Sequence, residues 1–158
     1  MSDRLRILFV CQGNTCRSPM AEFMMKDLVR YRKIDNHFQI DSAALSDDNI
    51  GMKMLPGARK KLQDVGVPFD KEHTSRKMTR EDFDNNDYII CMDEKNERDL
   101  HASFPDPQGK IHRLFEFSER PDRNIPDPWF TGDFDETYDD MLVGLSGLLK
   151  KLKEAGKY

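Results

Sequence analysis

The chain is 158 residues long with a formal net charge of −4; this length suits one domain with its own hydrophobic core, and we predict a single domain over residues 1–158. The acidic balance lacks the basic stripe that nucleic-acid binding requires, and the apolar run near the N-terminus is too short for a signal peptide or a membrane span. The three cysteines lack a disulfide spacing and favour a reducing compartment, so we expect a cytoplasmic monomer with no nucleic-acid or membrane partner.

Apolar runs of strand length alternate with segments of helical periodicity along the chain. In chain order they predict a strand at 5–10, a helix at 18–33, a strand at 38–42, a helix at 56–65, a helical turn opened by a capping box of Thr79 and Asp82, a strand at 88–92, a helix at 94–104, a strand at 111–115, a loop at 118–131 and a last helix with an apolar stripe over 138–152. Because strands that alternate with helices form parallel sheets, we predict an α/β fold. Its sheet has four parallel strands, with helices on both faces.

Residues 10–19, VCQGNTCRSP, join the first predicted strand to the first predicted helix. In parallel sheets, ligands bind where such loops leave the carboxyl ends of the strands. Cys11 follows the strand, and Arg17 comes after five intervening residues. The backbone N–H groups of a tight loop at a helix N-terminus stabilise a thiolate or a bound phosphate, and a guanidinium binds two phosphate oxygens at once. The segment therefore predicts an anion-binding loop with a cysteine nucleophile.

The residues around Cys11 and Arg17 suit such a loop. Gly13 allows the backbone to turn tightly and approach a ligand. Asn14 tolerates a left-handed conformation and can form hydrogen bonds within the loop. Ser18, followed by proline, predicts the N-cap of the helix. Besides Cys11 and Arg17, the predicted phosphate-binding loop contains Gln12, Gly13, Asn14, Thr15, Cys16 and Ser18.

Two acidic segments, at 82–86 and 133–137, imitate the start of a calcium-binding loop. Both lack the glycine required at the sixth position, where Asp87 and Tyr138 stand. No pair of cysteines and no close group of histidines has the spacing of a zinc site. The sequence therefore predicts no metal and no cofactor.

The segment VCQGNTCRSP matches every fixed position of V-C-x-G-N-x-C-R-S-P, the approximate loop sequence of the low-molecular-weight protein tyrosine phosphatases. IDSAA at 40–44, DYIICMDEKN at 87–96 and the aromatic-flanked DP at 127–128 are also similar to that family. The resemblance covers nearly the whole chain. It implies the family's four-stranded parallel sheet and the metal-independent hydrolysis of phosphotyrosine in protein substrates, through a phosphocysteine intermediate.

The resemblance implies roles for three residues. Cys11 attacks phosphorus, and Arg17 binds the phosphate and stabilises charge on its equatorial oxygens. Asp127 matches the family's general acid, which protonates the leaving oxygen. Its local sequence, IPDPWF, also limits the backbone and surrounds the carboxyl group with apolar side chains.

Further residues match positions that support the loop in this family. For Ser18 we expect a hydrogen bond to the Cys11 thiolate; the alternative is a plain N-cap, and the two roles are compatible. Asn14, Ser42 and His73 match positions that form a hydrogen-bond network and hold the loop in shape. We therefore expect these four side chains close to the nucleophile.

Cys16 is the second cysteine of the loop. In family members with a cysteine here, it forms a reversible disulfide with the nucleophile under oxidation, and we predict this redox protection for Cys16 and Cys11. The alternative is a small residue that only packs. Cys91 lies in the apolar run YIICM, and we expect it in the core.

Substrate choice depends on residues around the loop. Trp129 and Phe130 stand where the family usually has two tyrosines, and Asp48 and Asn49 lie where some tyrosine-directed members have an aromatic residue. We predict these four at the substrate rim. Thr15 stands where tyrosine-directed members usually have isoleucine or leucine, and protein-arginine phosphatases of the same fold resemble this chain in having threonine there. Phosphotyrosine is the leading substrate, and phosphoarginine is the alternative.

Two other functions use a similar fold and loop. Thioredoxin-coupled arsenate reductases need two further redox cysteines in a mobile segment, whereas only Cys91 lies downstream here, in a predicted core strand. Asp127 would also have no clear role in that reaction. A phosphate-binding module without activity is disfavoured because the nucleophile, the arginine and the acid are all present.

Overall fold

The computed structural model describes residues 4–158, and four of its segments form one parallel sheet. The strands are β1 (Leu5–Cys11), β2 (Phe38–Ala44), β3 (Tyr88–Cys91) and β4 (Ile111–Arg113). Their spatial order is β2-β1-β3-β4, and each neighbouring pair is parallel. The chain winds first to one side of β1 and then to the other, and ligands bind at the carboxyl end of the strands at such a switch point. The predicted four-stranded parallel sheet is confirmed.

Six α-helices accompany the sheet within residues 4–158, and five of them cover its two faces. They are α1 (Arg17–Tyr31), α2 (Pro56–Asp64), α3 (Arg80–Asn85), α4 (Glu94–Ser103), α5 (Pro128–Thr131) and α6 (Phe134–Glu154). Helices α1, α2 and α6 share a core with Ile7 and Phe9, and α3 and α4 share one with Leu8 and Val10. The two cores alternate along β1 because successive side chains of a strand point to opposite faces. None of these helices is long and apolar enough to cross a membrane.

The fourth strand is shorter than predicted. β4 ends at Arg113, and Leu114–Phe117 form a 3-10 helix. The Leu114 side chain packs against Gly144 of α6, where an added Cβ would clash with it. The apolar run at 111–115 therefore marks buried residues correctly but not their backbone conformation, because buried strands and buried helical turns are equally apolar.

The start of α1 also differs from the prediction. The helix begins at Arg17 with Cys16 as its N-cap, and no side chain caps it. Ser18 is therefore not the N-cap, and its hydroxyl instead contacts residues of the preceding loop. At α3, by contrast, Thr79 and Asp82 form the predicted capping box.

Candidate active site

The loop after β1 folds around the sulfur of Cys11, a residue only 2% exposed. The backbone N–H groups of Asn14 and Ser18 point at Sγ, at N···S distances of 3.3 and 3.4 Å. Ser18 Oγ lies 3.1 Å from the same sulfur. Asn14 has the predicted left-handed conformation, with φ 54°. These donors stand at the N-terminus of α1, where an anion is stabilised.

Asn14 connects the loop to β2. Its amide Nδ2 donates to Ser18 Oγ at 2.7 Å and to Ser42 Oγ at 3.0 Å. Since Ser18 Oγ accepts this bond, its own proton remains available for the Cys11 sulfur when that sulfur is a thiolate. Ser42 in turn donates to the buried carboxylate of Glu22 at 2.6 Å. The structure thus brings together Asn14, Ser18 and Ser42 as predicted.

The ring of His73 is not part of this network. It packs edge-on against Phe23, with ring centroids 5.7 Å apart, and its buried Nε2 has no hydrogen-bond partner in the described part of the chain. The segment just after it contacts the loop instead. Ser75 Oγ donates to the Gly13 carbonyl at 2.8 Å, and the Arg76 backbone N–H donates to Asn14 Oδ1 at 3.3 Å. The expected contact is therefore made two and three residues further along the chain.

Arg17 is buried at 2% exposure and held by residues distant in sequence. Its Nη1 donates to Asp93 Oδ2 at 2.7 Å and to the Ile125 carbonyl at 3.0 Å, and its Nη2 lies 3.4 Å from Asp127 Oδ2. Burial by itself lowers the Arg17 pKa, but the charges of Cys11, Asp127 and Asp93 outweigh it and raise the pKa above its ordinary value. Arg17 Nε is buried and has no partner among residues 4–158, so it is a donor that a phosphate oxygen could accept.

Asp127 lies opposite the loop, as the N-cap of the short α5. Its Oδ1 accepts hydrogen bonds from the Trp129 backbone N–H at 3.0 Å and from the Cys16 thiol at 3.5 Å. Burial, together with the charges of Cys11 and Asp127, raises the pKa of the Cys16 thiol above its ordinary range. Cys16 therefore remains a protonated donor at neutral pH.

The remaining predicted loop and rim residues differ in their exposure. Trp129 and Phe130 are 63% and 83% exposed. The Asn49 side chain lies directly over Gly13, whose missing Cβ makes room for it, whereas the neighbouring Asp48 is exposed. Thr15 is 4% exposed.

Gln12 lies at the start of the loop. Its carbonyl accepts from the Ser46 N–H and hydroxyl, both at 3.1 Å. Its side chain lines a cleft of about 450 Å³ together with Leu45, Lys77 and Met78.

Sequence reasoning missed Asp93, which forms the shortest contact of Arg17. Asp93 follows β3 by two residues, and β3 is the neighbour of β1. An acidic N-cap residue at the same edge of the sheet as the anion loop was the available signal. Within residues 4–158, no three His, Cys, Asp or Glu side chains are grouped so that they could hold a metal ion.

The fold and this loop define a cysteine-dependent phosphatase, because the sulfur, the N–H donors and the guanidinium converge on one place at the carboxyl end of β1. A family model described as "Low molecular weight phosphotyrosine protein phosphatase" matches residues 6–157. The protein of that name from the pig, Sus scrofa, is 36% identical over 152 residues, which cover 93% of this chain and 95% of the pig protein. The chain therefore belongs to the low molecular weight phosphotyrosine protein phosphatase family, as its sequence predicted.

Solved structures are similar over the whole fold. The crystal structure of YfkJ from Bacillus subtilis has a TM-score of 0.91 at 33% identity and covers 96% of each chain. The crystal structure of an arginine phosphatase from Drosophila has a TM-score of 0.83 at 32% identity, and covers 94% of this chain and 98% of that one. The pig relative is thus named for phosphotyrosine and the Drosophila protein for arginine.

Proposed function

We propose that the chain hydrolyses phosphotyrosine in proteins, with Cys11 as the nucleophile. The observation that carries this proposal is the convergence of the Asn14 and Ser18 N–H groups and the Ser18 hydroxyl on the Cys11 sulfur. These donors stabilise a thiolate, which attacks phosphorus. A sulfur–phosphorus bond forms while the bond from phosphorus to the tyrosine oxygen breaks.

Arg17 stabilises the transferring phosphoryl group. Its Nε is a buried donor without a protein partner in residues 4–158, and Nη2 has only the longer contact with Asp127. These two nitrogens form the edge of the guanidinium fork that binds two phosphate oxygens. Together with the loop N–H groups they oppose the charge on the equatorial oxygens in the transition state.

Asp127 protonates the leaving tyrosine oxygen in the first step. In the second step it accepts a proton from the water that attacks the phosphocysteine, and the Cys11 thiolate leaves. The Ser18 hydroxyl, 3.1 Å from the sulfur, stabilises that thiolate again. The reaction thus closes with free phosphate and the starting protein.

The exposed rings of Trp129 and Phe130 support an aryl substrate, because they follow Asp127 and offer apolar contact beside the loop. A second candidate is phosphoarginine. Thr15 Oγ1 lies within the loop, 3.6 Å from the position that a Cβ on Gly13 would take. It could accept a hydrogen bond from a guanidinium, which leaves fewer donors unpaired on burial.

The test compares initial rates on matched peptides that carry phosphotyrosine or phosphoarginine. We expect the wild type to prefer phosphotyrosine and Cys11→Ser to be inactive on both while still binding inorganic phosphate. Activity is expected to survive EDTA, because Arg17 and the loop N–H groups supply the stabilising charge. A wild type that prefers phosphoarginine, and loses that preference in Thr15→Ile, would transfer the proposal to the second substrate. Residual turnover by Cys11→Ser would refute the role of Cys11.

We further propose that residues 1–158 act as one domain, as a cytoplasmic monomer, on phosphorylated proteins. The three cysteines are free and buried, which suits a reducing compartment. Size-exclusion chromatography with light scattering tests the monomer, and a dimeric mass would contradict it.

A further inference from the structure

We propose that Ser75 is a positioning residue that fixes the backbone amide facing the nucleophile. The inference rests on the proposed function, in which the Cys11 sulfur is the nucleophile, and Ser75 acts on that sulfur through the loop backbone. Ser75 is 2% exposed, and its Oγ donates to the Gly13 carbonyl at 2.8 Å. The same peptide unit carries the Asn14 N–H, which donates to Cys11 Sγ at 3.3 Å.

The planarity of the peptide bond transmits this contact to the sulfur. In a trans peptide the C=O and the N–H point in opposite directions, so a bond that fixes one group also fixes the other. Ser75 holds the carbonyl on one side of the loop and thereby aims the Asn14 N–H at the sulfur on the other side. A serine that never touches the substrate thus controls a donor that does.

This peptide unit needs such a restraint. Rotating it as a whole changes ψ of Gly13 and φ of Asn14. Glycine allows a wide range of backbone angles, so Gly13 does not resist this rotation, and Asn14 at φ 54° is held in a left-handed conformation that is less favourable than negative φ. A rotated unit would direct the Gly13 carbonyl oxygen towards the sulfur, where it would oppose a thiolate instead of stabilising it.

Ser75 is itself held in place from both sides. Its N–H donates to the Met52 carbonyl at 2.8 Å, and its carbonyl accepts from the Gly51 N–H at 2.9 Å. The next residue, Arg76, forms ion pairs with Asp41 and Asp82 at 3.0 and 2.8 Å. The hydroxyl of Ser75 is therefore a fixed donor and not a mobile side chain.

The experiment compares Ser75→Ala with Thr74→Ala, an exposed neighbour in the same segment. The first readout is the rate of Cys11 alkylation by iodoacetate as a function of pH, which requires no phosphatase activity. Below the midpoint of this profile, we expect Ser75→Ala to react about 3- to 10-fold more slowly than wild type, the range for one neutral hydrogen bond. The other titratable groups that face the loop, Arg17, Cys16 and Asp127, are unchanged in both variants.

The second readout is kcat and KM for p-nitrophenyl phosphate. We expect kcat to fall by a similar factor in Ser75→Ala, to stay at the wild-type value in Thr74→Ala and to recover in Ser75→Thr, which restores a hydroxyl. A Ser75→Ala protein with a lower melting temperature but an unchanged alkylation profile would overturn the proposal, since Ser75 would then serve stability alone. If the alkylation profile moves but no phosphate ester is hydrolysed even by wild type, Ser75 keeps its role and the proposed function fails.

Discussion

Neutralising Asp93 tests whether the orientation of Arg17 depends on a residue outside the loop. Asp93 uses its two oxygens for different purposes: Oδ2 accepts from Arg17 Nη1 at 2.7 Å, and Oδ1 accepts from the Asn96 N–H at 2.8 Å as the N-cap of α4. Asp93→Asn keeps an oxygen for the cap but turns an amide group towards Arg17. Asp93→Ala removes both contacts. The pair of variants therefore separates the ion pair from the helix cap.

The size of the effect follows from the burial of the two partners. Breaking a buried ion pair by removing one partner costs about 3–5 kcal/mol, and a hydrogen bond to a charged group contributes about 1.5–3 kcal/mol. The Arg17 side chain is 3% exposed, but that of Asp93 is 22% exposed, and Asp127 still faces Arg17. The loss should therefore lie in the range for a hydrogen bond to a charged group, about 1.5–3 kcal/mol. If this energy is lost from the transition state, kcat/KM of Asp93→Asn falls roughly 10- to 150-fold. Asp93→Ala should lose about 1 kcal/mol more stability through the cap.

The assay combines kcat/KM for an aryl phosphate, the inhibition constant of inorganic phosphate and urea unfolding. Asp99→Asn is the control, because Asp99 lies on α4 and forms an exposed i,i+4 pair with Lys95. We expect this control to match wild type in all three measurements. An Asp93→Asn protein with wild-type kcat/KM and phosphate affinity would refute the reasoning, and the Ile125 carbonyl would then suffice to orient Arg17.

Asp127→Asn retains an oxygen for the Trp129 N–H and should slow hydrolysis by roughly 10²–10⁴-fold; the loss should shrink for leaving groups that need no proton, and an equal loss for all of them would contradict the acid role. Mild peroxide should inactivate wild type reversibly but Cys16→Ser irreversibly, and peptide mapping that finds Cys16 free in the oxidised wild type would exclude a Cys11–Cys16 disulfide. Burial raises the pKa of Asp82, but Arg76 and Thr79 outweigh burial and lower this pKa below its ordinary value. The Asp82 carboxylate therefore stabilises the folded state at pH values above the ordinary carboxyl range, and this stabilisation is lost as pH falls through the folded-state pKa. Unfolding should thus show Asp82→Asn less stable than wild type at neutral pH, with a gap that closes in acid; a pH-independent gap would contradict this.

Local sequence was enough to predict the anion loop. The strand, the glycine, the left-handed Asn14 and the helix follow one another within residues 5–31, and each has a short-range signal. The partners of this loop carry no such signal. Asp93 and Ser75 act on it only because the sheet order places β3 beside β1 and because the segment before α3 crosses the loop.

Two errors have the same physical origin. Ser18 before a proline satisfies the local rule for an N-cap, but the loop offers its hydroxyl better partners in Cys11 and Asn14. His73 lies near the loop, yet Ser75 and the Arg76 backbone make the contacts expected of it. In both cases a tertiary contact decides between residues that the local sequence ranks equally.

The contacts of Arg17 imply an order of events in the proposed reaction. Asp127 Oδ1 is occupied by the Trp129 N–H and the Cys16 thiol, so Oδ2 is the oxygen left to carry a proton to the leaving group. That oxygen faces Arg17 Nη2 at 3.4 Å, one of the two nitrogens expected to bind phosphate. Phosphate binding must therefore replace the Asp127 contact and release Oδ2. Asp93 holds the other nitrogen, Nη1, at 2.7 Å, so the guanidinium keeps its orientation while Asp127 separates from it. Loss of the Asp93 carboxylate should therefore impair catalysis as well as stability.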